Sequence, residues 1–249
     1  MATAPPEDQR TLLEVQELDT RLQQLVHQRR THPSLATIAE LDKRLADLQG
    51  SLVDSRTAVS DLEREVAKAE ADVAQVRTRA ERDQQRLDSG ALSAKDSQAV
   101  LSEIESLARR QSVLEDVELE VMERLEAHQE SLAKVEAAHA ELVAGKEKAT
   151  AERDAAWAEI DTAGRGVQAE RARVADSLDA GLLALYDKLR AQLGGLGAAA
   201  LRGGRCEGCR LELNPGDLAA ARSAAPEQVV RCEECGRILV RQPDEAAGA

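Results

Sequence analysis

The sequence predicts a mainly α fold: a long antiparallel coiled-coil hairpin with a kinked N-terminal helix, followed by a small C-terminal module containing β-strands. Composition is the first observation behind this. The 249 residues include no Phe, one Trp and one Tyr, yet 43% are hydrophobic, so the apolar content is almost wholly Ala, Leu and Val. Aromatic side chains dominate the cores of compact domains, whereas a chain rich in Ala, Glu, Lys, Leu and Arg with helical periodicity is the mark of long helices. The second observation is a pair of heptad seams, and the third is a set of four cysteines confined to the C-terminal fifth.

The elements follow in order. Leu12, Val15, Leu18, Leu22 and Leu25 repeat at helical spacing before Thr31-His32-Pro33-Ser34, where Pro33 kinks or breaks the helix near 31–34. From Ile38 the a positions are Ile38, Leu45, Leu52, Val59, Val66, Val73, Ala80 and Leu87. The d positions are Leu41, Leu48, Ser55, Leu62, Ala69, Val76 and Asp83, with only Ser55 and Asp83 off pattern. At 1.5 Å per residue such a seam is a rod of about 75–80 Å. It stops at Asp88-Ser89-Gly90, and Ser93-Ala94-Lys95-Asp96 reads as a fresh helix start, placing a tip near 88–95.

A second seam runs through Ile104, Leu107, Leu114, Val121, Leu125, Leu132, Val135, Leu142, Ala149, Ala156, Ile160 and Ala163. Polar residues interrupt it, His128 and His139 among them. Two seams joined by so short a loop fold back as an antiparallel hairpin. The first helix then lies opposite roughly Ala149 to Gln192, with Gly164 and Gly166 where the long helix must bend. Leu182, Tyr186, Leu189 and Leu193 share one helix face, and Trp157 and Tyr186 read as core residues. The hairpin is thus expected over residues 1–193, with residues 194–204 as a Gly-rich hinge. Gly195-Leu196-Gly197-Ala198-Ala199-Ala200 matches a dinucleotide fingerprint in form only, because a helix precedes it where a strand is needed.

The cysteines form Cys206-Glu207-Gly208-Cys209 and Cys232-Glu233-Glu234-Cys235. Two C-x-x-C turns at this spacing supply four thiolates to one tetrahedral Zn²⁺, and four protein ligands leave no open position for substrate. Arg210–Leu213 and Arg237–Arg241 read as strands after the two turns, with Asn214-Pro215-Gly216-Asp217 opening a short helix over Leu218–Ser223. A zinc ribbon over 205–242, holding one structural Zn²⁺ on Cys206, Cys209, Cys232 and Cys235, is the expectation. Residues 243–249 read as a disordered tail.

These features resemble, over essentially the full length, bacterial proteins that join a long antiparallel coiled coil to a C-terminal four-cysteine zinc ribbon. The resemblance rests on the early Leu-rich helix with Asp19, on Ser93-Ala94-Lys95-Asp96 leading into Glu103-Ile104 and Leu107-Ala108-Arg109-Arg110, and on Leu185-Tyr186-Asp187-Lys188-Leu189. The two cysteine pairs with Gly236-Arg237-Ile238-Leu239 complete it. That family includes flagellar chaperones described as binding sigma-54, and one branch is linked to RNA. The resemblance implies the fold, the four zinc ligands and a setting in transcription or secretion machinery.

Charge bounds the partners. The chain carries −13, which repels nucleic acid and anionic membrane as a whole. The segment from Leu201 to Gln242 holds Arg202, Arg205, Arg210, Arg222, Arg231, Arg237 and Arg241 against Glu207, Glu212, Asp217, Glu227, Glu233 and Glu234, so most of the negative charge lies upstream. No stretch reaches the ~18 consecutive apolar residues of a spanning helix, and Met1–Gln9 is no signal peptide, so a cytoplasmic location is expected. No catalytic grouping or phosphate loop is present. The leading reading is a non-enzymatic adaptor or chaperone-like scaffold, monomeric or homodimeric, that binds protein partners through coil and ribbon. The alternative is nucleic-acid binding through Arg77, Arg79, Arg82 and Arg86 near the tip, or Arg205, Arg210 and Arg237 on the ribbon.

Overall fold

The computed structural model describes residues 2–242. The elements are α1 (Pro6–Arg30), α2 (Pro33–Asp88), α3 (Ala94–Ala175), α4 (Ala180–Gln192), β1 (Ala198–Arg202), β2 (Arg205–Cys206), α5 (Pro215–Ser223) and β3 (Ile238–Arg241). They divide into two compact units, one spanning Ala36–Thr150 and the other combining the chain up to Leu35 with the chain from Ala151 onward.

The Ala36–Thr150 unit is a helical hairpin. Leu52, Val59, Leu62 and Val73 of α2 are buried together with Leu107, Val121, Leu142 and Ala149 of α3, so the heptad seams are filled within one chain. Ion pairs flank the seam at Asp42–Lys146 (2.5 Å), Arg56–Glu136 (2.8 Å), Glu65–Arg124 (3.5 Å), Arg77–Glu115 (3.2 Å) and Arg79–Glu103 (2.7 Å). Numbers rise on one helix as they fall on the other, which is antiparallel pairing. Exposed pairs of this kind are each worth ~0.2–1 kcal/mol, so they set register while the apolar seam supplies the stability. At the turn, Gly90 takes φ 65°, and Ser93 caps α3 by accepting a hydrogen bond from the Asp96 N–H at 3.2 Å.

The second unit is built on α1, which ends at Arg30 just before Pro33. It runs antiparallel to the last part of α3: Arg29 pairs with Asp161 at 2.7 Å, and Arg171 reaches Asp19 at 3.3 Å. The long helix stays helical through Gly164 and Gly166. Asp179 caps α4 by accepting from the Leu182 N–H at 2.9 Å. Leu12, Val15 and Leu18 of α1, Val167 and Val174 of α3, and Leu182, Tyr186 and Leu189 of α4 form one core with Ala198, Val229, Ile238 and Val240. Tyr186 is fully buried, as its helix face requires. Trp157 is half-buried instead, between the guanidiniums of Arg29 and Arg153 at 4.7 and 4.9 Å, and its Nε1–H donates to the Arg29 carbonyl.

The sheet has the order β2-β1-β3, with β1 antiparallel to β2 and parallel to β3 in the register Ala198↔Ile238 through Leu201↔Arg241. Its alternate residues face opposite ways. Ala198, Ile238 and Val240 join the helical core, whereas Ala199, Leu201 and Leu239 pack with Cys206, Cys232 and Ala221.

This arrangement corrects the reading of residues 194–204 as a hinge. Ala198–Leu201 are buried in the central strand, and the N–H groups of Gly197 and Ala198 donate to Oε1 of Gln16 at 2.7 and 3.3 Å. Gly197 serves close packing: a Cβ there would lie 2.8 Å from the Tyr186 carbonyl oxygen and 2.9 Å from its ring. The strand expected over Arg210–Leu213 is reduced to a single bridge from Glu212 to Arg205, because Arg210 turns the chain at φ 61°. The short helix starts earlier than expected, at Pro215, since Asn214 caps it and Pro fits the first helical position. The expected tail at 243–249 lies outside the described residues.

A cis-paired hairpin has a direct chemical test. Replacing Arg56 and Glu136 together by cysteine is expected to give an oxidised cross-link at monomer mass in the full-length chain. A cross-linked dimer would show that the seam pairs in trans.

Candidate metal centre

Each cysteine pair sits on a knuckle of the same design. In the first, the Arg210 N–H donates to the Cys206 carbonyl at 2.7 Å and the Cys206 N–H donates to the Leu211 carbonyl at 3.0 Å. In the second, Gly236 donates to Cys232 at 2.8 Å and Cys232 to Arg237 at 2.9 Å. The residue after each second cysteine, Arg210 or Gly236, has positive φ, 61° and 72°. Glycine at 236 made the second turn legible in the sequence; an arginine in that conformation gave no such signal.

The knuckles bring the four sulfurs together within 4.8 Å of one another, with Cys206–Cys235 at 3.9 Å and Cys209–Cys232 at 4.0 Å. A tetrahedron of Zn–S bonds of about 2.3 Å has edges of about 3.8 Å, while a disulfide needs about 2.05 Å. The spacing fits a tetrathiolate metal site, and all four cysteines are free. The chain therefore holds one structural Zn²⁺, through a closed donor set that leaves no coordination position for substrate.

The site is chemically uneven. Burial pushes the Cys206 and Cys232 thiols up, Cys232 to about 12. Burial acts the same way on Cys235, but the donors around it, from Arg237 and from the Cys232 and Cys209 thiols, together outweigh it and bring this thiol down to about 7. At neutral pH the metal-free site thus keeps protons on Cys206 and Cys232, and zinc must displace them. The sign follows: affinity falls as pH is lowered, because protons compete for the same sulfurs. Competition with a chromophoric chelator is expected to show weaker zinc retention below pH 7 than above it, with net proton release on binding. A pH-independent affinity would contradict this.

Of the arginines considered for anion contact, Arg79, Arg82 and Arg86 line one shallow surface pocket near the tip, together with Asp83 and Glu103. Arg77, Arg79 and Arg86 pair with Glu115, Glu103 and Asp83, and Arg205 pairs with Glu212. Arg237 points inward, donating to the Leu196 and Leu193 carbonyls. Arg82 and Arg210 remain exposed.

A second polar constellation is buried in the helical core, and sequence reasoning missed it. Asp19, 1% exposed, accepts from the Tyr186 hydroxyl at 2.8 Å and lies 3.3 Å from both Arg171 and Arg190. Arg171 also pairs with Asp187 at 2.7 Å. Burial, with the Asp19 carboxylate beside it, pushes the Tyr186 phenol well up, so it remains a neutral donor. The available signal was polar residues at Gln9, Gln16 and Asp19 on the face of α1 that carries Leu12 and Val15. Tyr186→Phe is expected to cost ~1–3 kcal/mol through the lost donor. Asp19→Ala is expected to cost ~3–5 kcal/mol, because it leaves two arginines without their shared partner. Urea unfolding followed by Trp157 fluorescence measures both.

A chain that joins a helical hairpin to a four-cysteine zinc ribbon is the class of protein that this fold and site define. The model of the CT398-like coiled-coil hairpin domain matches residues 15–194, and that of the C4-type zinc ribbon domain matches residues 205–239. The chain belongs to the CT398-like family of bacterial coiled-coil hairpin proteins. A Mycobacterium tuberculosis relative is 38% identical over 94% of this chain and 95% of its own length, and one from Mycobacterium leprae is 29% identical over 89% and 95%. A solved Mycobacterium smegmatis structure, 36% identical, matches with a TM-score of 0.81 over 96% of this chain and all of that one. The CT398 structure from Chlamydia trachomatis shares the fold at 17% identity, with a TM-score of 0.63 over 95% of this chain and 98% of that chain.

Proposed function

We propose that this chain is a non-enzymatic adaptor that engages a protein partner through the outer surface of its coiled coil, with the zinc ribbon as a rigid second contact. The observation that carries the reading is on α3. Val113, Val117, Leu119 and Met122 are 44–58% exposed, although the seam of the hairpin is already filled from the same chain. At 100° per residue Val113 and Val117 share one side of α3 and Leu119 and Met122 another, so each pair offers a small apolar contact beside the filled seam that a partner can cover. On the ribbon, Leu211 is 51% exposed beside Arg210 and offers a smaller contact of the same kind. No helix among the described residues is long and apolar enough to cross a membrane.

Sigma-54 or another component of transcription or secretion machinery is a candidate partner on the strength of the family resemblance. The nucleic-acid alternative draws less support, since most of the arginines it would use are engaged in ion pairs or carbonyl contacts. The test is affinity purification from native cells with zinc-loaded protein, with and without nuclease, comparing the natural chain with Val117→Asp and Leu119→Asp. A defined protein retained after nuclease and lost in the two variants, at unchanged helicity, is the expected outcome. Recovery that disappears with nuclease and survives both substitutions would favour the nucleic-acid reading.

A further inference from the structure

We propose that the open backbone edge of residues 229–231, beside helix α5, binds an extended basic peptide by adding it as a strand. The inference deepens the adaptor reading, on which it rests for the class of its occupant, and it names a contact on the ribbon that does not involve α3.

The edge follows from the hydrogen-bond pattern. Arg231 faces Ile238 of β3 in an antiparallel bridge. The Leu239 N–H donates to the Val230 carbonyl, and the Cys232 N–H donates to the Arg237 carbonyl, both at 2.9 Å. In such a bridge the bonds belong to the neighbours on either side, so the N–H and carbonyl of Arg231 itself point away from β3. Neither group has a backbone partner among the described residues. An exposed edge of this kind is a template for another chain.

The same edge already carries an added strand two residues earlier. Thr3 bridges Gln228 in antiparallel fashion, the Ala4 N–H donates to the Glu227 carbonyl at 2.8 Å, and the Val229 N–H donates to the Ala2 carbonyl at 3.0 Å. Backbone groups two residues apart in an extended chain point the same way, so Val229 and Arg231 share one edge. Pairing with residues 2–4 reaches Val229 and leaves Arg231 as the next position along it.

A cavity of about 430 Å³ adjoins this edge, lined by Ala220 and Ala224 of α5 and by Leu185, Leu213 and Val230. Strand addition draws affinity from the main chain and selectivity from such pockets for alternate side chains. The charged residues of the lining are Asp217, Glu233 and Arg231, and Arg231 turns its Nε to the Gly236 carbonyl at 2.8 Å. Two carboxylates against one committed guanidinium complement a peptide bearing Lys or Arg better than an acidic one.

The experiment uses the full zinc-loaded chain and a short fluorescein-labelled peptide of alternating Lys and Val. Two further versions are N-methylated at every Lys or at every Val, so that each blocks one edge of the peptide strand. The parent peptide is expected to bind, and one methylated version to bind about tenfold more weakly while the other is little changed, since two or more main-chain bonds are lost on one edge alone. Ala220→Trp, which fills the groove from an exposed position of α5, should weaken the parent peptide to a similar degree at unchanged helicity. Hydrogen exchange at the Arg231 amide should slow on binding, while the already bonded Val229 amide changes little. Equal binding of both methylated peptides, tighter binding of a Glu-Val counterpart, or slowing confined to α3 would each overturn the proposal. An Arg231 amide protected without peptide would also overturn it: protection that grows with protein concentration marks a second copy on the edge, and protection lost on deleting residues 243–249 marks the chain's own end. The probe is synthetic, so failure here leaves the α3 surface to its own test by affinity purification.

Discussion

Parallel pairing of β1 with β3 is the contact around which the ribbon-bearing unit is organised. Parallel strands need a crossover between them, and here the crossover contains both cysteine knuckles and α5. A parallel pair is buried on both sides, so its strands read as continuous apolar runs. That is the composition found: Ala198 to Leu201 and Ile238 to Val240 are all 7% exposed or less. One side meets α1, α3 and α4, and the other meets the cysteines. Small residues in β1 let the two layers close on it.

Sharing the sheet resolves a problem of size. A ribbon of this length buries too little apolar surface to stand without help, and metal ligation is the usual remedy. This ribbon has a second one, because the face of the sheet away from the metal is also the face of a helical core. The polar groups at the junction are satisfied by α1. Gln16 receives the Gly197 and Ala198 N–H groups and donates to the Gly195 carbonyl, while Gln9 donates to the carbonyls of Ala4 and Pro226. Buried amides used so fully fix one docking geometry, since any other leaves several groups unpaired.

The parts of this fold that are periodic or stoichiometric were legible in the sequence. Heptad positions from Ile38 to Leu87 identify the hairpin because a seam repeats one physical requirement many times, and two C-x-x-C pairs identify the metal because ligand count is fixed by coordination. What was illegible depends on a single tertiary fact each time. Ala198-Ala199-Ala200 has poor strand propensity, and its neighbours Gly194, Gly195 and Gly197 look like a flexible joint until the sheet partner is known. Asp19 and Tyr186 are distant in sequence and meet only when α1 lies along α4. The arginines near the tip could be counted as positive charge, but their pairing depends on a register that the heptad pattern does not carry.

That pairing alters what the surface of the hairpin can do. A net charge of −13 suggests a chain dominated by electrostatics, yet Arg56, Arg77, Arg79, Arg124 and Lys146 along the hairpin are each matched to an Asp or Glu of the facing helix. A paired exposed cation attracts an incoming phosphate weakly, because the attraction must compete with a carboxylate already in place and with salt. Recognition on such a surface then rests on the groups that water holds poorly. On α3 these are Val113, Val117, Leu119 and Met122, whose burial against a partner at ~25 cal/mol per Å² offers more than any single one of the exposed ion pairs. Charge in this hairpin accompanies its register, and on the proposed adaptor reading the apolar side chains standing outside the seam are where binding energy is to be sought.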